Sequence, residues 1–184
     1  IIIVGEDHRF IVAEQLRKIG ITRPHIIVEP EPKNTTAAIT TAALFIKSKI
    51  NFSNLLILPS DHYIKNNKHF IKIITKAMQN STLKKIICFG IKPNSPETKY
   101  GYIIPGKPYS KYINKIIRFE EKPSLLKARN LIKKNALWNS GMFLFSCSSI
   151  LNEINKYVPN LSNQIQKSLD NSNKDMDFIR LDKK

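Results

Sequence analysis

Leu55-Leu-Ile-Leu-Pro-Ser-Asp-His62 is the stretch on which the fold turns. Four consecutive apolar residues closed by a proline predict a short strand covered on both faces, as in a parallel sheet. Asp61 then stands just past the carboxyl end of that strand, where open α/β sheets bind their ligands.

On both sides of this stretch, strand-like and helix-like segments alternate. Upstream, residues 1–4 form an apolar run, and residues 9–19 carry Phe10, Ala13, Leu16 and Ile19 at helical spacing before the stop at Gly20. Residues 26–28 are a second short strand. After the turn Glu29-Pro-Glu-Pro-Lys33, Asn34 or Thr35 is placed to cap a helix reaching about residue 48. Downstream, residues 68–79 predict a helix and 86–90 a strand. This β-α-β-α-β-α-β order implies a parallel sheet with helices on its faces. Beyond Gly90 the pattern changes. Residues 92–99 read as an ordered loop, 102–104 and 112–120 as strands, 124–134 as a capped helix, 142–146 as a strand and 148–157 as a helix. The expected class is α/β, with a mostly parallel sheet followed by a mixed α+β half. No internal repeat or linker breaks the chain. Both ends have strand-like content, so further sequence is expected before Ile1 and after Lys184.

Length and composition suit one globular domain: 184 residues, 42% hydrophobic and 24% charged. No apolar run reaches the roughly 20 residues that span a bilayer, so no membrane partner is expected, and the two cysteines point to a cytoplasmic protein. Cys88 and Cys147 lie in apolar runs and read as reduced core thiols. The net charge of +16 raises nucleic-acid binding as a hypothesis. Lys outnumbers Arg about four to one, however, and the basic residues are scattered. Arg supplies the planar fork that reads phosphates and bases, so no nucleic-acid partner is expected.

Four constellations can carry chemistry. Asp61 is suited to ligate Mg2+, which takes hard oxygen ligands together with substrate phosphates, or else it caps the next turn. Glu29 with Asn34 and Thr35 joins a strand-end carboxylate to a helix N-terminus, whose free N–H groups suit phosphate or polar ring atoms. The same residues also make an ordinary capped helix start. Phe119-Glu-Glu-Lys-Pro123 offers carboxylates for sugar hydroxyls and a lysine for phosphate, or simply a solvated strand end. Tyr100-Gly-Tyr102 and Trp138-Asn-Ser-Gly141 place glycines, an amide and aromatics together, as sugar sites do. The four histidines show no paired zinc spacing.

Taken in order, these segments resemble the sugar-nucleotide pyrophosphorylases, most closely the bacterial mannose-1-phosphate guanylyltransferases. The resemblance runs through Glu6-Asp-His-Arg-Phe-Ile-Val-Ala-Glu-Gln15, Glu29-Pro30 with Asn34-Thr35, Ser60-Asp-His62, Phe89-Gly-Ile91 with Pro96-Glu-Thr98, Tyr100-Gly-Tyr-Ile103, Glu121-Lys-Pro123, Trp138-Asn-Ser-Gly-Met-Phe143 and Asp177-Phe-Ile-Arg-Leu-Asp182. It implies a Rossmann-like nucleotidyltransferase fold, with residues 1–91 as a nucleotide-binding half and 92–184 as a sugar-phosphate-binding half. It implies that Asp61 binds catalytic Mg2+ and that Glu29, Asn34 and Thr35 face the nucleoside. Gly101, Glu121, Lys122 and Asn139 would line the mannose 1-phosphate pocket, with Lys122 also counted among the catalytic groups. The implied reaction is GTP plus mannose 1-phosphate giving GDP-mannose and pyrophosphate, and a homodimer is compatible with the family.

The chain departs from the family at several points. Its glycines, at positions 5, 20, 90, 101, 106 and 141, form no phosphate-cradling loop. Pro32 and Lys33 stand where relatives carry Gly and Arg, and Lys99 replaces a usual glycine. The family's second metal-binding aspartate is expected just after residue 184. These departures predict little or no turnover by this segment alone. They leave two alternatives beside the guanylyltransferase: a non-catalytic remnant that binds sugar phosphate, and a pyrophosphorylase for another sugar 1-phosphate.

Overall fold

The computed structural model describes residues 1–31, 33–50, 53–79 and 84–183. The elements run β1 (Ile2–Gly5), a 3-10 turn (Glu6–His8), α1 (Arg9–Lys18), β2 (Ile26–Glu29), α2 (Asn34–Lys47), β3 (Asn54–Ile57), α3 (Asn67–Gln79) and β4 (Ile87–Ile91). They continue with β5 (Tyr102–Ser110), β6 (Ile113–Glu120), α4 (Leu125–Lys133), β7 (Leu137–Ser146), α5 (Cys147–Tyr157), α6 (Pro159–Asp170), β8 (Asn173–Asp175) and β9 (Phe178–Arg180). The alternating α/β order expected of the first 91 residues is present. The chain folds as two compact units, one of Ile1–Ser53 with Ile150–Lys184 and one of Asn54–Ser149.

In the first unit the strand order is β1-β2-β9-β8, with β1, β2 and β9 parallel and β8 antiparallel to β9. Ile26, Ile27 and Val28 are buried, because β2 is flanked by strands on both edges. Ala13 and Leu16 of α1 pack with Val4, Ile26, Val28 and Phe178, whereas Phe10 and Ile19, at the same helical spacing, are largely exposed and Ile19 lies past the helix end. Phe178 meets Phe10 edge to face at 5.5 Å, and Arg17 pairs with Asp177 at 2.7 Å. The Glu6 carboxylate takes both Arg9, at 2.8 Å, and Arg180, which also holds Asp175 at 2.9 Å. Residues 6–9 and 175–180, far apart in sequence, are therefore joined by one charge network. Within α2 the buried hydroxyls of Thr40 and Thr41 bond back to Thr36 O and Ala37 O, which satisfies them inside the helix.

The second unit is organised around β7. β4 runs along one edge of it, through pairs from Ile87↔Leu144 to Ile91↔Trp138. β3 and β5 share the other edge, β3 opposite residues 143–146 and β5 opposite Leu137 and Trp138, with β6 beyond β5. Tyr102 of β5 is wholly buried against Ala128, Leu131 and Ala136 of the α4 region. Ser124 Oγ caps α4 by accepting from Lys127 N, as its position predicts.

Several expectations are corrected. The strand at residues 55–58 is not central: β3 pairs antiparallel with β7, its residues are half-buried, and Leu58 is 49% exposed. β4 also pairs antiparallel with β7, so the parallel pairing expected to link the first four strands is confined to β1, β2 and β9. An apolar run signals burial but carries no information on the direction of its neighbour. Neither Asn34 nor Thr35 caps α2. Lys33 is the N-cap residue, and no side chain accepts from the helix start. β7 begins five residues before the strand expected at 142–146, and α6 was not foreseen.

Candidate active site

β3 ends opposite Phe143 and β5 begins opposite Trp138, so residues 139–142 of β7 lie between two strands that share its edge. This interval is where the sequence-predicted residues of the second unit gather. Asn139 N donates to Gly101 O at 2.7 Å. A Cβ placed on Gly101 would lie 2.6 Å from Glu121 Oε2 and 3.5 Å from Asn139 Cβ. A side chain at Gly101 would compete with the Glu121 carboxylate for that space. Gly101 is therefore flanked by both Glu121, just past the end of β6, and Asn139 of β7.

Asp61 follows β3 in the adjoining loop. Pro59 Cγ lies 3.4 Å from the position of a Cβ on Gly141, which seats that loop against the 139–142 interval. The Asp61 side chain is 86% exposed, with His62 Nε2 at 3.9 Å as its neighbour. Among the described residues, no group of three or more His, Cys, Asp or Glu side chains is assembled to hold a metal ion. A single open carboxylate fits Mg2+, which keeps several waters and binds through one or two carboxylates plus substrate phosphates.

Lys122 is exposed and takes φ +43°, directly before Pro123. That is an uncommon conformation for a lysine preceding proline, and such backbone strain concentrates at ligand sites. The adjacent carboxylates divide their roles. Glu120 is taken up by Lys127 at 2.5 Å and Arg118 at 2.7 Å, and the bond from Lys127 holds its carboxyl below the usual carboxylate range. Among the described residues no ion pair engages Glu121. The sequence held the signal for this division, since Lys127 in the first turns of α4 faces back toward the end of β6, but adjacency alone could not say which glutamate it takes.

Glu29, Asn34 and Thr35 lie in the first unit. Glu29 ends β2 opposite Gly5, and burial pushes its carboxyl above the ordinary value. Asn34, at φ +64°, opens α2, and Thr35 follows it; both side chains are exposed at an uncapped helix start. Pro32 lies outside the described residues. Sequence reasoning missed Ser140, whose buried hydroxyl donates to Phe89 O at 2.6 Å beside Asn139.

The profile of the nucleotidyl transferase family matches residues 1–184, the full length of the chain. The chain belongs to the nucleotidyl transferase family. Members of this family generally use a divalent metal. The chain is 43% identical to a mannose-1-phosphate guanylyltransferase of Escherichia coli, over 100% of its own length and 41% of that protein's. It is 40% identical to the xanthan biosynthesis protein XanB of Xanthomonas campestris pv. campestris strain B100, over 100% of the chain and 39% of the relative. A solved structure from Helicobacter pylori, described as a mannose-6-phosphate isomerase, superposes with a TM-score of 0.83 at 28% identity, covering 98% of this chain and 70% of that one. The chain thus spans about two fifths of the length of the curated relatives it matches. The nucleotidyltransferase fold implied by the ordered motifs is the fold of this chain, and the resemblance to guanylyltransferases holds along its whole length. Among the described residues no helix is long and apolar enough to cross a membrane.

Proposed function

We propose that this chain is the core of a cytoplasmic mannose-1-phosphate guanylyltransferase, which transfers GMP from GTP to mannose 1-phosphate and releases pyrophosphate. The observation that carries the reading is the approach of both Glu121 and Asn139 to Gly101, next to the loop that bears Asp61. The identity to guanylyltransferase relatives supports it, whereas the isomerase description attaches to one solved structure at lower identity. Glu121 accepts from vicinal sugar hydroxyls, Asn139 donates, and Gly101 lets the sugar approach the backbone. Lys122 neutralises the sugar phosphate as a flexible point charge. Glu29, Asn34 and Thr35 contact the nucleoside. In this reading residues 1–91 bind nucleotide and 92–184 bind sugar phosphate, although Asp61 belongs to the same compact unit as the sugar residues.

The reaction needs no general base. A sugar phosphate is largely dianionic near pH 7, its second pKa being about 6. One of its oxygens bonds to the α-phosphorus of GTP while the bond from that phosphorus to the bridging oxygen breaks, and the electron pair leaves with pyrophosphate. What the protein contributes is alignment and compensation of charge. Asp61 would hold Mg2+, which would supply further neutralisation on the triphosphate.

The deciding assay is GDP-mannose formation from GTP, mannose 1-phosphate and Mg2+ by the complete gene product. It should proceed in the unmodified protein and be lost in Asp61→Ala. Use of a different sugar 1-phosphate would leave only the family assignment standing. Homodimerisation belongs to the same proposal and is read by sedimentation velocity.

A further inference from the structure

Between Cys88 and Gly90, β4 advances two residues while β7 advances four, from Phe143 back to Asn139. Phe89 therefore faces three residues of β7, and the ladder cannot satisfy its backbone groups in the regular way. Ser140 fills the gap. Its hydroxyl donates to Phe89 O at 2.6 Å and accepts from Met142 N at 3.1 Å, so both its donor and an acceptor site are used. Gly141, at φ +70°, makes the turn that the extra residues require. Asn139 Oδ1 accepts from Gly141 N at 3.3 Å, and Asn139 N donates to Gly101 O at 2.7 Å. With Oδ1 engaged, the Asn139 side chain has its two N–H donors to offer a ligand oxygen.

We propose that Ser140 is a positioning residue for Asn139: its hydroxyl replaces the ladder bond that the bulge removes, and thereby fixes the turn that sets the Asn139 amide beside Gly101 and Glu121. This rests on the reading that Asn139 contacts the sugar phosphate. Bulges recur beside active sites because they re-aim a side chain, and here the re-aiming depends on one buried hydroxyl. Removing it takes the hydroxyl partner away from both the Phe89 carbonyl and the Met142 N–H, so the 139–142 turn relaxes toward a regular ladder.

The test compares the 184-residue chain with Ser140→Ala, Ser140→Thr and Asn139→Ala by calorimetric titration with mannose 1-phosphate, and follows the Asn139 amide by hydrogen exchange. Asn139→Ala should remove binding. Ser140→Ala should weaken binding about tenfold and speed exchange at Asn139 about tenfold, the size of effect that one unmade buried hydrogen bond produces. Ser140→Thr, which keeps the hydroxyl, should stay within about twofold of the parent. If Ser140→Ala binds as the parent does while Asn139→Ala does not bind, the proposal is wrong. Equal weakening in Ala and Thr would also overturn it, because packing rather than the hydroxyl would then be responsible. If Asn139→Ala binds normally, the sugar-site reading of Asn139 fails, and the positioning claim is judged by exchange alone: unchanged protection in Ser140→Ala overturns it. Should Ser140→Ala not fold, Ser140→Cys keeps the volume with only weak hydrogen bonding, and parent-like binding by it would overturn the proposal.

Discussion

Substituting Gly101 by alanine places a methyl group 2.6 Å from Glu121 Oε2. Gly101 does not use a left-handed φ, so alanine is compatible with its backbone. The conflict is with the end of a side chain, which can give way. Restoring an ordinary contact of 3.4 Å requires the carboxylate to retreat about 0.8 Å, while Asn139 Cβ at 3.5 Å is left undisturbed. The substitution should therefore cost less than about 1 kcal/mol of stability. A ligand-binding group displaced by nearly an ångström behaves differently, since misplacements of that size cost on the order of a hundredfold in function. Affinity for mannose 1-phosphate should fall by about 10- to 100-fold in Gly101→Ala, with a melting temperature close to that of the parent. Calorimetry and a thermal melt on the same sample read both quantities. Unchanged affinity in a folded Gly101→Ala protein would refute the assignment of Glu121 to the sugar site, because the carboxylate cannot stay where it is.

Three further outcomes follow from the charges and thiols. The Glu120 carboxyl is held low by its bond from Lys127, so the pair stabilises the fold above the ordinary carboxylate pKa and loses that contribution as pH falls through the lowered value; Glu120→Gln should melt lower than the parent at pH 7 and converge with it in strong acid. Glu29 has the opposite sign. Its carboxyl is raised by burial, so its contribution is most favourable below the ordinary carboxylate pKa and is lost as pH rises through the raised value; Glu29→Gln should melt higher than the parent at pH 7, with the gain vanishing toward pH 3. Burial pushes the Cys88 thiol up to about 11, so at pH 8 only on the order of one thiol in a thousand is ionised, and iodoacetamide should alkylate it far more slowly in the native protein than in urea.

The sequence made the local elements legible and left the pairings obscure. Helical spacing at Phe10, Ala13 and Leu16, the capping serine at Ser124 and the apolar run at residues 26–28 each led to the observed element, because these signals are local. The run at 55–58 misled: four apolar residues read the same in a central parallel strand and at the antiparallel edge of β7. β7 itself was cut short because Trp138-Asn-Ser-Gly141 looks like a loop, and only the bulge against Phe89 lets such residues stay within a strand. α6 did carry a pattern, with Pro159 at its first turn and Leu161, Ile165 and Leu169 four apart, but the polar residues between them hid it. The site followed the same rule. Gly101, Glu121 and Asn139 could be chosen from their chemistry and their order, whereas the approach of Glu121 and Asn139 to Gly101, and the Ser140 bond to Phe89 beside it, depend on register.

The most direct test of the site is a calorimetric titration of mannose 1-phosphate into this chain and into its Asn139→Ala and Glu121→Gln variants. The parent chain should bind saturably and one to one, with binding lost in Asn139→Ala and strongly weakened in Glu121→Gln and all three proteins equally folded. Parent-like binding in both variants, or no binding by a folded parent chain, would contradict the assignment.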